Sequence, residues 1–550
     1  MGQSVIKCVF ISFLLYVSSV ASQEITAELL TAAESGNFEK VESFLKNRDI
    51  EPDAAQADGT TVLAWAVYHD NETVVDQLIR AGADVNAAND LGVNSLHLAC
   101  SNKNANIVGK LLKAGANPDS PKWTGETPLM TCANTGTLDA IHLLLAHGAD
   151  VNAKESKENQ TALMWAAAEK HSDVVSILVE TGADVNATSK VFAQPEPFTV
   201  KVPNIFGSSY PHTLRFPKTR GGFSALQFAA QQGDIDSTQS LLDGGADIDY
   251  ATEEEGSALV IATAAGHEEL AMFLLKHGAD PDIKDGFGLG AIHFALHEGV
   301  IILNGAMPFT TDHLGWKRKN MPKLLDYLIE KGVDVNAPVA AEWPYLTNSF
   351  LRSIEEASQI SIAGATPLLL AAASGDTESM NLLVNKGKAK TDVKTVGGAT
   401  VFMLAAGAGS EKGMREEAKA IEAARLALSL ADYDVNARLT DNHAVNGPGA
   451  GKEDGRTALH FAAYLGWKDM VLFLAEQGAD LDVEDRYGQT PLKIAMDDPE
   501  SLYYRQVPVG RYDDRFRRTE STTYPDVIKA LLDLGARPFT GKVVDKGSVN

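Results

Sequence analysis

Two histidines and a glutamate form the most metal-like group in the sequence. His293 and His297 are four residues apart and Glu298 follows, so on a helix both imidazoles would lie on one face and could begin a metal site. No third ligand can be identified, and no Cys-x-x-Cys pair or Cys/His cluster with zinc spacing occurs. The sequence predicts no bound metal, although a metal-handling role centred on His297 stays open as an alternative.

One glycine-rich stretch is similar to a phosphate-binding loop. It runs Gly-Pro-Gly-Ala-Gly-Lys over residues 447–452, but the motif needs Gly at Asn446 and Ser or Thr at Glu453, and no strand precedes it. No Gly-x-Ser-x-Gly, His-Glu-x-x-His or kinase-like motif occurs either. We therefore expect no catalytic residue, no cofactor and no enzymatic activity.

Composition and charge restrict the class of partner. The 550 residues are 45% hydrophobic, which is enough for a large core, and the formal net charge is −25. An acidic surface repels nucleic acid and anionic lipid, so neither is expected as a partner.

The first 21 residues have the pattern of a secretory signal peptide. Lys7 precedes an apolar core from about Val9 to Val17, and the small residues Ser19 and Ala21 precede a cleavage point before Ser22. The apolar core has about half of the ~20 residues that a membrane span needs, which argues against the alternative of an uncleaved anchor. We expect an exported chain, periplasmic or extracellular, with no stable membrane insertion after cleavage.

A sequence repeat of about 33 residues predicts the secondary-structure elements of the chain. The phrase Gly-Ala-Asp-Val-Asn-Ala, or a variant, recurs at Gly82, Gly115, Gly148 and Gly182, whose spacings are 33, 33 and 34 residues. About 20 residues before each stands Thr or Ser, then Pro or Ala, then Leu and an alanine pair. Two short apolar segments follow and predict an antiparallel helix pair. Gly182 is predicted to end its helix in the left-handed conformation.

This pattern closely resembles the ankyrin repeat. The resemblance implies an α-dominated repeat solenoid of about twelve helix-turn-helix repeats with projecting β-hairpins, stacked without a new core for each repeat. The predicted organisation is a signal peptide at 1–21, repeats 1–5 at 24–187, a Pro/aromatic insert at 188–220, repeats 6–12 at 221–540 and a polar tail at 541–550. Further inserts are predicted at 300–322, 338–363, 410–420, 438–453 and 498–523.

The resemblance also assigns candidate partner-binding positions, because ankyrin arrays bind through hairpin tips and the concave face of the first helices. The first-helix candidates are Tyr68, Gln231, Gln232, His297, Glu298 and Tyr464. The hairpin candidates are Trp123, Phe223, Phe287 and Tyr487. Each of these residues could instead pack against neighbouring hairpins or inserts.

Four residues at the alanine pairs are expected in the core. Trp65 and Trp165 precede the first alanine, a position that the family buries. Cys100 and Cys132 occupy alanine places in adjacent repeats, which favours two small buried residues over a disulfide.

The insert at 188–220 separates this chain from a plain array. It alternates prolines with aromatic residues and carries a net charge of +4. We expect either a partner-binding loop or a loop packed on its own acidic solenoid. The function predicted from the sequence is a monomeric scaffold that binds a protein partner. The alternatives are a secreted effector acting on host proteins, a periplasmic enzyme-accessory protein and a purely structural spacer.

Overall fold

A computed structural model gives the conformation of most of the chain. The described residues are 25–47, 51–193, 198–203, 209–214, 219–304, 318–340, 360, 362–410, 413–440, 455–486, 488–496 and 524–538. They divide into two compact units, one within 1–192 and 221–250 and the other within 193–220 and 251–550.

The first unit consists of helix pairs. Its helices are α1 (25–34), α2 (Phe38–Asn47), α3 (Val62–Tyr68), α4 (Glu72–Ala81), α5 (Ser95–Ser101), α6 (Ala105–Lys113), α7 (Pro128–Thr135), α8 (Leu138–Ala146), α9 (Ala162–Ala168), α10 (Ser172–Glu180), α11 (Ala225–Gln232) and α12 (Ile235–Asp243). From α3 onward, each first helix packs on the first helix of the next pair, and each second helix packs on the next second helix. The apolar faces of both rows form the core.

The recurring phrases start and end these helices as predicted. Thr127 precedes α7 and its hydroxyl accepts a hydrogen bond from the Met130 amide at 3.4 Å, while Pro128 occupies the first turn. Pro is tolerated there because its missing N–H would have no partner in the helix. After α10, Gly182 has a φ of 93°, which confirms the predicted left-handed ending.

The fifth residue of each Gly-Ala-Asp-Val-Asn-Ala phrase, an Asn or an Asp, connects one repeat to the next by hydrogen bonds. The Asn86 side-chain oxygen accepts from the Asn117 amide at 2.7 Å, and its NH₂ donates to the Gly115 carbonyl at 3.1 Å. Asn152 makes the same two bonds, to the Asp184 amide and the Gly182 carbonyl. The repeated Asn therefore satisfies backbone groups that successive helix ends leave open.

The second unit repeats this arrangement. Its helices are α13 (Ala258–Ala265), α14 (Glu268–Lys276), α15 (Ala291–Phe294), α16 (His297–Asn304), α17 (Pro322–Glu330), α18 (Pro367–Ser374), α19 (Thr377–Asn381), α20 (Val401–Ala405), α21 (Glu417–Leu430), α22 (Ala458–Leu465), α23 (Lys468–Glu476), α24 (Pro491–Ala495) and α25 (Pro525–Asp533). A π-helical turn, Leu382–Lys386, follows α19.

The strands are short. They are β1 (Val191–Ala193), β2 (Phe198–Pro203), β3 (Ser209–Leu214), β4 (Thr219–Gly221), β5 (Ala251–Thr252) and β6 (Gly256–Ser257). Strands β2 and β3 pair in antiparallel register, with Phe198 opposite Leu214 and Pro203 opposite Ser209. The predicted insert at 188–220 therefore contains a β-hairpin.

Two predicted inserts each place an arginine against helix ends of the second unit; Arg318 is half-buried there and Arg415 is buried. The Arg318 Nη1 donates to the Thr263 carbonyl at 3.0 Å, at the end of α13. The Arg415 Nη1 donates to the Ala373 and Leu404 carbonyls at 2.8 and 3.0 Å, at the ends of α18 and α20. The partial negative charge of helix carboxyl ends favours a cation there. Burial lowers the pKa of Arg415 to about 9.

Candidate partner-binding surface

In the hairpins of the first unit, side chains accept hydrogen bonds from backbone amides of the turn. The Asn89 side-chain oxygen accepts from the amides of Leu91 and Val93 at 3.1 and 3.0 Å and so fixes the turn before α5. Gly92 follows with a φ of 72°. A Cβ at Gly92 would lie 2.9 Å from the Cα of Lys122, so the next hairpin packs directly against this glycine.

Backbone hydrogen bonds connect successive hairpin tips. The Asp90 amide donates to the Asp58 carbonyl at 2.8 Å, the Trp123 amide to the Leu91 carbonyl at 3.0 Å, and the Ser156 amide to the Thr124 carbonyl at 2.8 Å. We call the line formed by Asp58, Asp90, Leu91, Trp123, Thr124 and Ser156 the tip row. Its backbone is fixed by these bonds, so its side chains are presented on a rigid support.

The tip row carries two exposed apolar side chains beside two carboxylates. Leu91 is 56% exposed and Trp123 is 73% exposed, and the backbone bond between them holds them on adjacent tips. Asp58 and Asp90 are also exposed; Asp90 lies on the same tip as Leu91, and Asp58 lies on the tip before it. Lys122 does not offset these charges, because its ammonium is 2.6 Å from the Glu126 carboxylate.

A second exposed group lies at the end of α3. Tyr68 is 56% exposed, and its ring packs edge-on against Trp65 at 5.5 Å and against His69 at 5.2 Å. The Trp65 indole N–H donates to the side-chain oxygen of Gln56 at 3.3 Å. Trp65 and Trp165, which were expected in the core, are only half-buried, and each indole N–H donates to a glutamine side chain of the hairpin.

The other predicted binding residues have different surroundings. Phe223 is half-buried and packs on Phe228 at 5.6 Å. Gln231 is exposed and Gln232 is half-buried. In the second unit, Phe287, Glu298 and Tyr464 are half-buried, and Tyr487 lies outside the described residues.

His297 is placed differently from the prediction. It is only 4% exposed, and its Nδ1 lies 3.1 Å from the Arg318 Nη2. The reason is local: the first helix of this repeat ends at Phe294, and His297 begins the separate helix α16. His297 is therefore buried beneath the side chain of Arg318, which comes later in the chain.

The histidines at the helix starts bond neighbouring repeats. The Nδ1 of His293 accepts from the Gly290 amide at 2.9 Å, so Nε2 carries the proton and donates to the Ala337 carbonyl at 2.9 Å. Burial lowers the pKa of His293 to about 4. Across the part of the chain that the structure describes, no group of three or more His, Cys, Asp or Glu side chains could hold a metal ion.

Asp285 is a half-buried acid in the hairpin before α15. Its side chain accepts from the amides of Phe287 and Leu289 at 2.9 and 2.8 Å. Burial nevertheless raises the pKa of Asp285 to about 7, and the nearby carboxylates of Glu255 and Glu254 add to the rise.

A disulfide joins Cys100 of α5 to Cys132 of α7, with Cα atoms 4.7 Å apart. The expectation of two separate small core residues is therefore wrong. Both side chains are buried between first helices of adjacent repeats, whose close packing brings the two alanine places within disulfide reach.

Family comparisons agree with this architecture. The ankyrin-repeat model of three copies matches residues 29–122, 96–189, 212–303 and 418–502, and the single ankyrin-repeat model matches 363–396. These matches cover more than half of the chain, which therefore belongs to the ankyrin-repeat family. The predicted family and fold class, an α-dominated repeat solenoid, are confirmed, and such repeats are protein-interaction scaffolds. The count of about twelve stays a prediction.

Three similar proteins show how widely the repeat occurs. An ankyrin repeat and KH domain-containing protein of Caenorhabditis briggsae is 30% identical over 154 residues, which are 28% of this chain and 5% of that protein. Protein glp-1 of Caenorhabditis elegans is 24% identical over 267 residues, 48% of this chain and 14% of that protein. The E3 ubiquitin-protein ligase KEG of Arabidopsis thaliana is 24% identical over 332 residues, 53% of this chain and 19% of that protein. This chain spans less than a fifth of each of them.

Sequence reasoning missed Leu91 although a signal for it existed. Leu91 stands directly before the hairpin glycine Gly92, as the predicted binding residues Phe287 and Tyr487 stand before Gly288 and Gly488. What the sequence could not give is the backbone hydrogen bond that places Leu91 beside Trp123. Leu91 precedes its hairpin glycine by one residue and Trp123 precedes Gly125 by two, and the pairing of these two positions between hairpins is visible only in the structure.

In the part of the chain that the structure describes, no helix has the length and apolar character needed to cross a membrane.

Proposed function

We propose that this chain is an exported interaction scaffold that binds a protein partner through the tip row of its first unit. The observation that carries the proposal is the pair of adjacent, exposed side chains Leu91 and Trp123 on hydrogen-bonded tips. Exposed apolar side chains on a rigid support gain free energy when a partner covers them, and tryptophan is enriched where binding energy concentrates. Binding alone, without a reaction or cofactor, is the proposed activity.

Export to the periplasm or the exterior is part of the proposal. The signal-like segment at 1–21 supports it, and so does the Cys100–Cys132 disulfide, because disulfides persist mainly in oxidising compartments. Cys8 lies in the predicted signal, so the mature chain would contain only the two bonded cysteines.

The experiment is a crosslinked capture from the compartment that contains the chain, followed by mass spectrometry. The bait is either the intact chain or the double variant Leu91→Ala and Trp123→Ala. The control is Val396→Ala, since Val396 is about as exposed as Leu91 but lies in the second unit. We expect a protein that the intact chain and the control capture and that the double variant loses.

Two results would contradict the proposal. Equal capture by all three baits would place binding away from the tip row, and no captured protein would argue against a scaffold role. Near-identical thermal unfolding of the three baits is the control for folding, because both side chains are exposed and contribute little to the core.

A further inference from the structure

We propose that the tip row accepts an extended basic segment of the partner, in which cationic side chains pair with Asp58 and Asp90 and an apolar side chain covers Leu91 beside Trp123. This inference rests on the proposed function and names the chemistry of its partner. It follows from the order of charge and apolar surface along the tip row.

The anionic part of the row is available to a ligand. Asp58 and Asp90 are exposed, and the backbone bond of 2.8 Å between their residues keeps the two carboxylates at neighbouring tips. Hydrogen bonds from the Thr60 amide and hydroxyl lower the pKa of Asp58, so it is ionised at neutral pH. Lys122, which precedes Trp123 in sequence, pairs with Glu126 rather than with either aspartate.

The apolar part of the row suits a cationic neighbour. Trp123 is the more exposed of the two apolar side chains, and tryptophan is the best aromatic platform for a guanidinium or ammonium group. Leu91 lies between Trp123 and the aspartates along the row. An arginine of the ligand could therefore stack on Trp123 while its aliphatic neighbour contacts Leu91.

The spacing of the tips sets the pattern of the ligand. Neighbouring repeats are separated by the ~10 Å at which helices pack, whereas residues joined by a backbone hydrogen bond, such as Asp58 and Asp90, lie only about 5 Å apart. A segment that spans from Asp58 to Trp123 would need roughly five to seven residues, with two adjacent basic positions at one end for the aspartates, an apolar position in the middle and a basic position at the other end.

The overall charge favours this class of ligand over acidic ones. The chain carries a formal net charge of −25, so its field attracts a basic segment and repels nucleic acid. Because the backbone of the row is already fixed by hydrogen bonds, little ordering of the protein opposes binding.

The test uses a fluorescein-labelled peptide, Gly-Arg-Lys-Ser-Leu-Ser-Arg-Gly, titrated with the purified chain and followed by fluorescence anisotropy. One control peptide has Glu at its three basic positions, and the other has Ser in place of Leu. The protein variants are Trp123→Ala, Trp123→Phe and the double variant Asp58→Asn and Asp90→Asn. Asp139→Asn with Glu180→Gln is the charge-matched control, since both residues are exposed on second helices.

We expect the basic peptide to bind and the acidic peptide not to bind. Trp123→Ala should weaken binding about tenfold, and Trp123→Phe should weaken it less, because a smaller aromatic face remains. The Asp58 and Asp90 variant should weaken binding about fivefold and should also reduce its dependence on NaCl between about 50 and 300 mM. The charge-matched control should bind within about twofold of the intact chain.

Failure of this inference can be separated from failure of the proposed function. No peptide binding, or equal weakening by the Asp139 and Glu180 control, would overturn the basic-segment inference even if a partner is captured through Leu91 and Trp123. Peptide binding without any captured protein would instead leave the ligand chemistry supported and would count against the scaffold function. Intact circular dichroism of every variant ensures that either result concerns binding.

Discussion

At the scale of single residues, the buried histidines make the stability of the protein sensitive to acid. Burial lowers the pKa of His97 to about 4 and that of His460 to about 3. An unfolded histidine accepts a proton below about pH 6.5, whereas these folded histidines stay neutral. The unfolded state therefore binds more protons between pH 6.5 and about 4, and the free energy of unfolding falls as the pH falls through that range.

The first prediction removes one of these histidines. Gln227 stands at the same helix position as His97, and its side-chain oxygen accepts from the Ser224 amide at 3.0 Å, so the repeat tolerates glutamine there. On acidification below pH 6.5, the free energy of unfolding of His97→Gln should fall by roughly 1 kcal/mol less per pH unit than that of the intact chain. Urea unfolding at pH 7.5, 6.5 and 5.5 measures this loss. The same change at the exposed His142 is the control, and an identical effect of both variants would contradict the prediction.

The second prediction concerns the disulfide. Replacing Cys100 and Cys132 together by alanine fits the positions, because both are alanine places, but it removes a cross-link between residues 32 apart in sequence. The free energy of unfolding should fall by roughly 2–4 kcal/mol, measured by urea unfolding without reductant. Reductant should destabilise the intact chain and leave the double variant unchanged. Alkylation of two thiols in the chain purified without reductant would refute the bond.

These residues show how far sequence could predict the details. The role of His293 as a helix-start histidine follows from its phrase, and the structure gives it two backbone partners. The disulfide could not be derived, because residue spacing does not state whether the two alanine places face each other. The burial of His297 was equally hidden, since it depends on Arg318, which returns from a segment with no repeat pattern.

At the scale of elements, the first helix α7 ends under a side chain of the next repeat. Gly136 ends α7 with a φ of 72°, and the His171 ring lies over it. The His171 Nε2 is 3.0 Å from the Asn134 carbonyl at the same helix end. Gly136 is required for two reasons: its backbone is left-handed, and a Cβ would occupy the space of the His171 ring.

The third prediction separates these two requirements. Gly182 has a φ of 93° but no atom within 4 Å of a Cβ position, whereas a Cβ at Gly136 would lie 2.6 Å from the His171 ring. Gly182→Ala should cost about 1 kcal/mol from backbone strain, and Gly136→Ala should cost about 1 kcal/mol more. Thermal or urea unfolding compares the two variants. In a His171→Ala background the two costs should become equal, and equality already in the wild-type background would disprove the contact.

The elements themselves were predictable where the repeat is regular. The Thr-Pro-Leu phrase predicted the start of α7, and the glycine phrase predicted the end of α10. The inserts were not predictable in detail, because they lack the period. Helix α16 continues to Asn304 within the predicted insert at 300–322. Arg415 belongs to the predicted insert at 410–420, but its side chain is buried against the end of α18.

At the scale of the whole molecule, the charge acts on folding and on binding in opposite directions. A formal net charge of −25 makes the compact chain repel itself, and it would also attract the basic partner proposed above. Salt screens both interactions, with a Debye length of about 10 Å at 0.1 M. Screening should therefore stabilise the fold while weakening the association.

The fourth prediction tests this opposition in one series of NaCl concentrations. Between about 20 and 200 mM NaCl at pH 7.5, the Tm of the isolated chain should rise by a few degrees, while binding of the basic peptide should weaken several-fold. Differential scanning fluorimetry and anisotropy on the same samples measure the two effects. The Asp139→Asn and Glu180→Gln variant removes two negative charges outside the tip row. It should therefore reduce the rise in Tm and leave the salt dependence of binding unchanged. If Tm and affinity moved in the same direction, local pairs rather than net charge would control the stability of this acidic array.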